Sequence, residues 1–353
     1  MQSCKLEDKT VQELKWLTKE ISKRYGNVRR CRGCYLYTEK GTRLTDCFLD
    51  GGRAILGWDG GKARTAFKNA VERGATGFYT GSSLSRLATA VKKLLPSEYS
   101  EIRWLYDSED DSAFADGNSA FGAGNSALAA ATNTNDADNG SAFGTAGNTN
   151  GTDDSAKCAD NSAKGAAHDA VCDADKLAAV KASSVLWRPW LDFSADAEAS
   201  VTRYPKITMR FTTERPDIIK IVPPFPWAAD ICFYAFKDTY TANGGFVPEN
   251  AILPFPLAEA YTRAFFDMKT ALGEYGEEQF KQFTRQLSPF FERKACYLFP
   301  KADITDYETF VLKALDAGIV ISPVKEIPSI VPWKANPGDL KKLAAALTGE
   351  ARP

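Results

Sequence analysis

The chain is 353 residues long, with room for two ordinary domains, and its 44% hydrophobic and 12% aromatic content suffices for a packed core. Basic and acidic residues nearly cancel, leaving a formal net charge of -1, so no overall field draws the protein to nucleic acid or anionic lipid. Its charged start (Lys5, Glu7, Asp8, Lys9) lacks the apolar run of a signal peptide, and no later stretch reaches the roughly 20 apolar residues of a membrane span. The expectation is a cytoplasmic protein with no membrane or nucleic-acid partner.

Val11, Leu14, Leu17, Ile21 and Tyr25 recur on one helical face, and Gly26 ends that helix. A basic stretch comes next (Lys23, Arg24, Arg29, Arg30, Arg32), which reads as a solvated loop, the alternative being a site for phosphate or an acidic partner. Within it Cys31-Arg-Gly-Cys34 has metal-ligand or redox spacing. The other six of the eight cysteines are scattered, and the single histidine, His168, lies in a polar tract, so reduced loop thiols and no metal are expected.

Residues 34–37 and 44–49, joined through Gly41, read as a hairpin. Two helices over 62–73 and 83–95 and a strand over 102–106 come after it. Composition then shifts to Ala, Asp, Asn, Ser, Gly and Thr, with a recurring Ser-Ala-Phe unit at Ser112, Ser119 and Ser141. Such a tract buries too little to offset its ordering entropy, so 107–184 reads as a disordered repeat.

Beyond Val185, short β-rich segments at 187–190, 206–211, 218–222 and 231–236 are separated by Pro-bearing turns and predict a small sheet. Helical spacing covers 257–272 and 277–292, with aromatic stripes that read as core. The end alternates: a strand over 296–299, a helix over 306–317 closed by Gly318, strands at 319–321 and 329–331, and a final helix over 338–347.

The order of elements and the residues themselves resemble a known family. Tyr35-Leu-Tyr-Thr-Glu-Lys-Gly-Thr-Arg-Leu-Thr-Asp46 through Ile55-Leu-Gly57 is similar to the opening hairpin of class III pyridoxal-phosphate aminotransferases. Arg73-Gly-Ala-Thr-Gly-Phe-Tyr79 is similar to the segment after that hairpin in the family, and Tyr307 to Pro323 resembles the family's C-terminal small domain, nearest to glutamate-1-semialdehyde aminomutase-like members. The likeness covers about the first and last hundred residues. It implies an α/β (α+β) fold, a remnant of the fold-type I aminotransferase: small-domain parts at 1–106 and 254–353, a reduced β-rich centre at 185–253, and the repeat at 107–184 between them. It also implies a homodimer, or a pair with an active paralogue.

The centre departs from that plan. Where the resemblance implies a phosphate-binding Ser-Gly turn, the residues are Tyr106-Asp-Ser-Glu-Asp-Asp111, whose carboxylates repel a phosphate. The Schiff-base lysine the family requires has Lys237 as its best candidate, with Gly244 and Gly245 on the cofactor side, and Lys220 as a weaker one. About seventy residues between the repeat and Pro254 cannot build a doubly wound domain. The expected function is therefore a degenerate aminotransferase-like protein acting through protein contacts or dimerisation. The alternatives are an active pyridoxal-phosphate aminotransferase or aminomutase using Lys237, and an unrelated α/β binding module presenting Lys23 to Arg32.

Overall fold

In a computed structural model, the described residues are 2–76, 83–106, 174–191, 215–227, 231–281, 284–332 and 335–348. The chain forms two compact units, one from Met1–Asp107 with Ala178–Pro353, the other from Ser108–Leu177. Of the second, only 174–177 are described, in helical conformation. The expected repeat thus lies mainly outside the described residues, as does the expected strand at 206–211.

Helix α1 (Gln2–Tyr25) buries Leu17 and Ile21. Gly26, at φ +75°, stops it as the left-handed residue that only glycine adopts at little cost, its amide donating to the Ser22 carbonyl at 2.9 Å. The helix is tied to the other end of the chain: Arg24 Nε lies 2.7 Å from Asp316 Oδ1, and the Tyr25 hydroxyl donates to the Leu315 carbonyl at 2.7 Å.

Strands β1 (Val28–Arg32), β2 (Tyr35–Thr38) and β3 (Arg43–Asp46) form an antiparallel meander. The basic stretch expected as a loop is therefore partly an edge strand. Its inward residue, Cys31, faces Leu36, and that pairing outweighs the weak strand preference of its arginines.

The meander gains a fourth strand from far along the chain. Helix α9 (Tyr307–Asp316) is capped by Asp306, whose carboxylate accepts from the Thr309 amide at 3.0 Å, and it ends at Gly318, φ +78°. Strand β10 (Ile319–Val320) then runs parallel to β3, with Ile319 opposite Thr45. Helix α10 (Pro337–Thr348) packs on α9. Leu36, Leu44, Val311, Leu315, Ile319 and Leu343 form the core of this layer.

A second sheet has the order β4-β7-β6-β5, from β4 (Glu101–Tyr106), β7 (Ile231–Phe236), β6 (Ile218–Ile221) and β5 (Val185–Leu186). Every residue of β6 and β7 is buried, as the unbroken apolar run of β7 predicts; in β6 the buried set includes Lys220. Phe233 meets Tyr261 and Phe265 edge-to-face, at 5.7 and 5.0 Å between ring centroids. Both belong to α6 (Phe255–Glu274), on which α2 (Gly61–Glu72) and α3 (Ser83–Lys92) also pack. A fully buried aromatic of this kind contributes about 1.5–3 kcal/mol. The third sheet, β11-β9-β8, joins β11 (Ser329–Ile330), β9 (Tyr297–Pro300) and β8 (Phe291–Lys294).

Three expectations need correction. Residues 174–183, placed within the repeat from sequence, form a helix, α4: Ala174 to Ala182 is rich in strong helix formers, and buried Val180 anchors it. The helix expected over 277–292 is two short ones, α7 (Glu277–Lys281) and α8 (Thr284–Leu287), with β8 directly after them. Pro289, lacking an N–H, closes the helical stretch. The strand expected over 187–190 is not formed: the Trp187 amide still donates to the Lys220 carbonyl at 2.8 Å, but the chain then turns, and Trp190 sits at φ +67° with its indole N–H on the Tyr275 carbonyl at 2.8 Å.

Candidate functional site

The turn after β3 is built on one buried carboxylate. Asp46 Oδ1 accepts from the amides of Phe48 and Leu49, both at 2.9 Å, and Oδ2 accepts from Trp58 Nε1 at 2.7 Å. These bonds hold the chain through a left-handed run: Leu49 at φ 50°, Asp50 at 52°, Gly51 at 64° and Gly52 at 106°. For the two non-glycine residues this conformation costs on the order of 1 kcal/mol or more each, which the charge-assisted bonds offset. Burial pushes the Asp46 carboxyl up to about 6, against the pull of its Leu49, Trp58 and Phe48 donors.

Gly51 and Gly52 border a cleft where segments from the start, middle and end of the chain converge. Trp187, Arg188, Met268 and Tyr297 also line it. The Arg188 guanidinium carbon stands 5.5 Å from the Tyr297 ring centroid. Burial drives the Tyr297 hydroxyl well above its ordinary range, Cys296 adds to this, and Arg188 opposes it, so the phenol stays protonated at neutral pH. Cation and neutral donor together suit a small anion. The cleft encloses about 30 Å³, room for a water or two. Ligand pockets run to roughly 300–1,000 Å³. A smaller cleft of about 10 Å³ lies beside Gly33 and Cys34.

The residues singled out from sequence lie elsewhere. Lys237 comes directly after β7 and precedes α5 (Asp238–Ala242). Its amide donates to the Asp217 carbonyl at 2.8 Å, and the half-buried residue places its Nζ at an exposed contact 3.5 Å from the Arg215 carbonyl. Gly244 and Gly245 come into the same turn, linked by Tyr240: the Tyr240 amide donates to Lys237 O, and the Gly245 amide to Tyr240 O, each at 3.0 Å. A Cβ on Gly245 would stand 2.4 Å from the Tyr240 ring, so an aromatic side chain fills the space its missing side chain leaves. None of the three borders either described cleft. Lys220, ranked lower from sequence, is the more buried lysine, 4% exposed on β6 opposite Tyr234.

Sequence reasoning passed over Arg188 and Tyr297, reading their segments as strands, and it passed over Asp46 because a lone carboxylate at a strand end carries no local signal. Cys31 and Cys34 are free thiols, and burial raises each to about 11. Among the described residues, no group of three His, Cys, Asp or Glu side chains is placed to hold a metal.

No family model matches the chain. An uncharacterised protein of Treponema pallidum (strain Nichols) is 25% identical to it, over 89% of this chain and 91% of that one. Acetylornithine aminotransferase of Elizabethkingia anophelis superposes with a TM-score of 0.50 at 11% identity, covering 94% of this chain and 98% of that one. The chain has an aminotransferase-like fold. Ornithine delta-aminotransferase of Plasmodium falciparum superposes with a TM-score of 0.49 at 12% identity, over 96% and 97% of the two chains. At such identities the likeness concerns the fold alone.

Proposed function

We propose that this chain is a degenerate relative of class III pyridoxal-phosphate aminotransferases, without transaminase chemistry, that acts through protein contacts by pairing with itself or with an active paralogue. The observation that carries this reading is the separation of parts. Lys237 stands in a turn with its ammonium against a backbone carbonyl, while Arg188 and Tyr297 meet in a different, water-sized cleft.

Pyridoxal phosphate needs a Schiff-base lysine, an acidic partner for its ring nitrogen and a cradle for its phosphate, in one pocket. The described residues do not fit that group. Gly245 is packed by Tyr240, and the cleft holding Arg188 is an order of magnitude too small for a cofactor.

Titration with pyridoxal phosphate and then gel filtration tests the reading. No visible band should persist. A retained, borohydride-reducible band that disappears in Lys237→Ala would favour the active-enzyme alternative, and one that disappears in Lys220→Ala would move the lysine to β6. Sedimentation velocity should report a dimer; a monomer across the micromolar range argues against self-pairing.

A further inference from the structure

Among the described residues, strand β1 is the edge of its sheet, with β2 as its single neighbour in the sheet order, and Val28, Arg29, Arg30 and Arg32 are exposed. The register shifts between Val28 and Arg30, so regular alternation runs from Arg30 onward. Arg30 is opposite Tyr37, Arg32 is opposite Tyr35, and Cys31 between them faces buried Leu36. Both arginines therefore share the outward face while the strand's other face joins the core.

On that outward face Arg30 sits over the Tyr37 ring at 5.7 Å, and Arg43 of β3 over Tyr35 at 4.3 Å. Arg43 has an acidic neighbour, Asp339, at 3.8 Å, and Arg29, at the register shift, has Glu39 at 3.9 Å. Among the described residues no carboxylate pairs with Arg30 or Arg32. An exposed strand edge offers unmet backbone donors and acceptors, and this one adds two uncompensated guanidinium groups at alternate positions.

We infer that β1 is a docking edge for an extended acidic peptide of a partner protein, added as a further strand of the sheet. Successive same-face residues of any β-strand lie about 6.6–6.8 Å apart. A peptide with carboxylates at every second position therefore repeats the spacing of Arg30 and Arg32. Single-stranded nucleic acid fits less well, because it stacks bases on open aromatic faces. Here a guanidinium already occupies a face of each tyrosine, Arg30 over Tyr37 and Arg43 over Tyr35.

The test is fluorescence anisotropy on the full chain with a labelled Thr-Glu-Val-Glu-Val-Asp-Thr peptide. Saturable binding is expected, weakened at least tenfold in Arg30→Ser/Arg32→Ser, whose exposed positions leave the fold and its circular dichroism unchanged. The same peptide N-methylated at alternate amides should lose binding, since it cannot pair with a strand edge. Equal binding of the methylated peptide would reduce the effect to charge adsorption and overturn the proposal. So would no binding at all by folded protein, binding indifferent to the double substitution, or tighter binding of an oligothymidylate.

Discussion

Thr45 and Ile319 stand opposite each other in a parallel strand pair, and the Thr45 amide donates to the carbonyl of Gly318 at 2.9 Å. The Cys47 amide continues the ladder to Val320 at 2.7 Å, and the Ile330 amide reaches the Cys47 carbonyl at 2.6 Å. One strand near the start of the chain is thus gripped by two segments near its end. The first meander and the last helices form one layer that neither could complete alone.

Ile319 is 1% exposed in that layer. Ile319→Ala should lower unfolding free energy by about 2–5 kcal/mol, the range for truncating a buried branched side chain. Urea unfolding monitored by circular dichroism checks this, and a loss below about 1 kcal/mol would show that the two ends are not cooperatively joined.

Asp46 sets a pH dependence. Its folded carboxyl titrates near 6 against an ordinary value of 3.8, so the native state holds the proton more tightly than the unfolded chain. The stabilisation from this group is complete below about pH 4 and is lost as pH rises through 6, a change of roughly 3 kcal/mol at about 1.4 kcal/mol per unit. Asp46→Asn should flatten the fall in stability between pH 4.5 and 7 relative to the unaltered chain. Identical slopes would place the carboxyl in a less demanding environment.

Gly245 separates two roles for a glycine. If its purpose is to admit the Tyr240 ring, Gly245→Ala destabilises by about 1–3 kcal/mol through overpacking, and adding Tyr240→Ala recovers part of the loss. Thermal melts of the single and double variants decide it. Additive losses would mean that the tyrosine is not what the glycine accommodates.

The thiols should divide by burial. Cys34, Cys47, Cys232 and Cys296 are buried, and burial drives Cys34 to about 11, Cys296 to about 12 and Cys47 well above its ordinary range. Alkylation by iodoacetamide at pH 7.5, read peptide by peptide, should spare these four in the native protein. Half-buried Cys31 should label slowly, and all five should label in denaturant. Rapid native labelling of Cys47 would contradict the packing of β3.

At the Phe233 ring, the packing of α6 on the second sheet can be measured directly. Phe233→Ala removes two edge-to-face contacts with Tyr261 and Phe265 and should cost about 3–5 kcal/mol in a urea titration.

Local patterns carried much of this molecule. The 3.6-residue spacing of Leu14, Leu17 and Ile21, the β-rich segments at 218–221 and 231–236, and the stops at Gly26 and Gly318 each act over a few residues, so they can be read along the chain. The resemblance of the two ends to one family anticipated the aminotransferase-like fold. Tertiary structure decided the rest. It made an edge strand of the arginine-rich segment by pairing Cys31 with Leu36, and it brought Arg188 over Tyr297. It also buried Asp46 beneath Trp58, and gave Lys220 more burial than Lys237. The Cys31–Leu36 pairing is local, but the Arg188–Tyr297 contact joins residues far apart in the chain, and the burial of Asp46 and Lys220 is desolvation by distant segments, which a sequence window of a dozen residues does not contain.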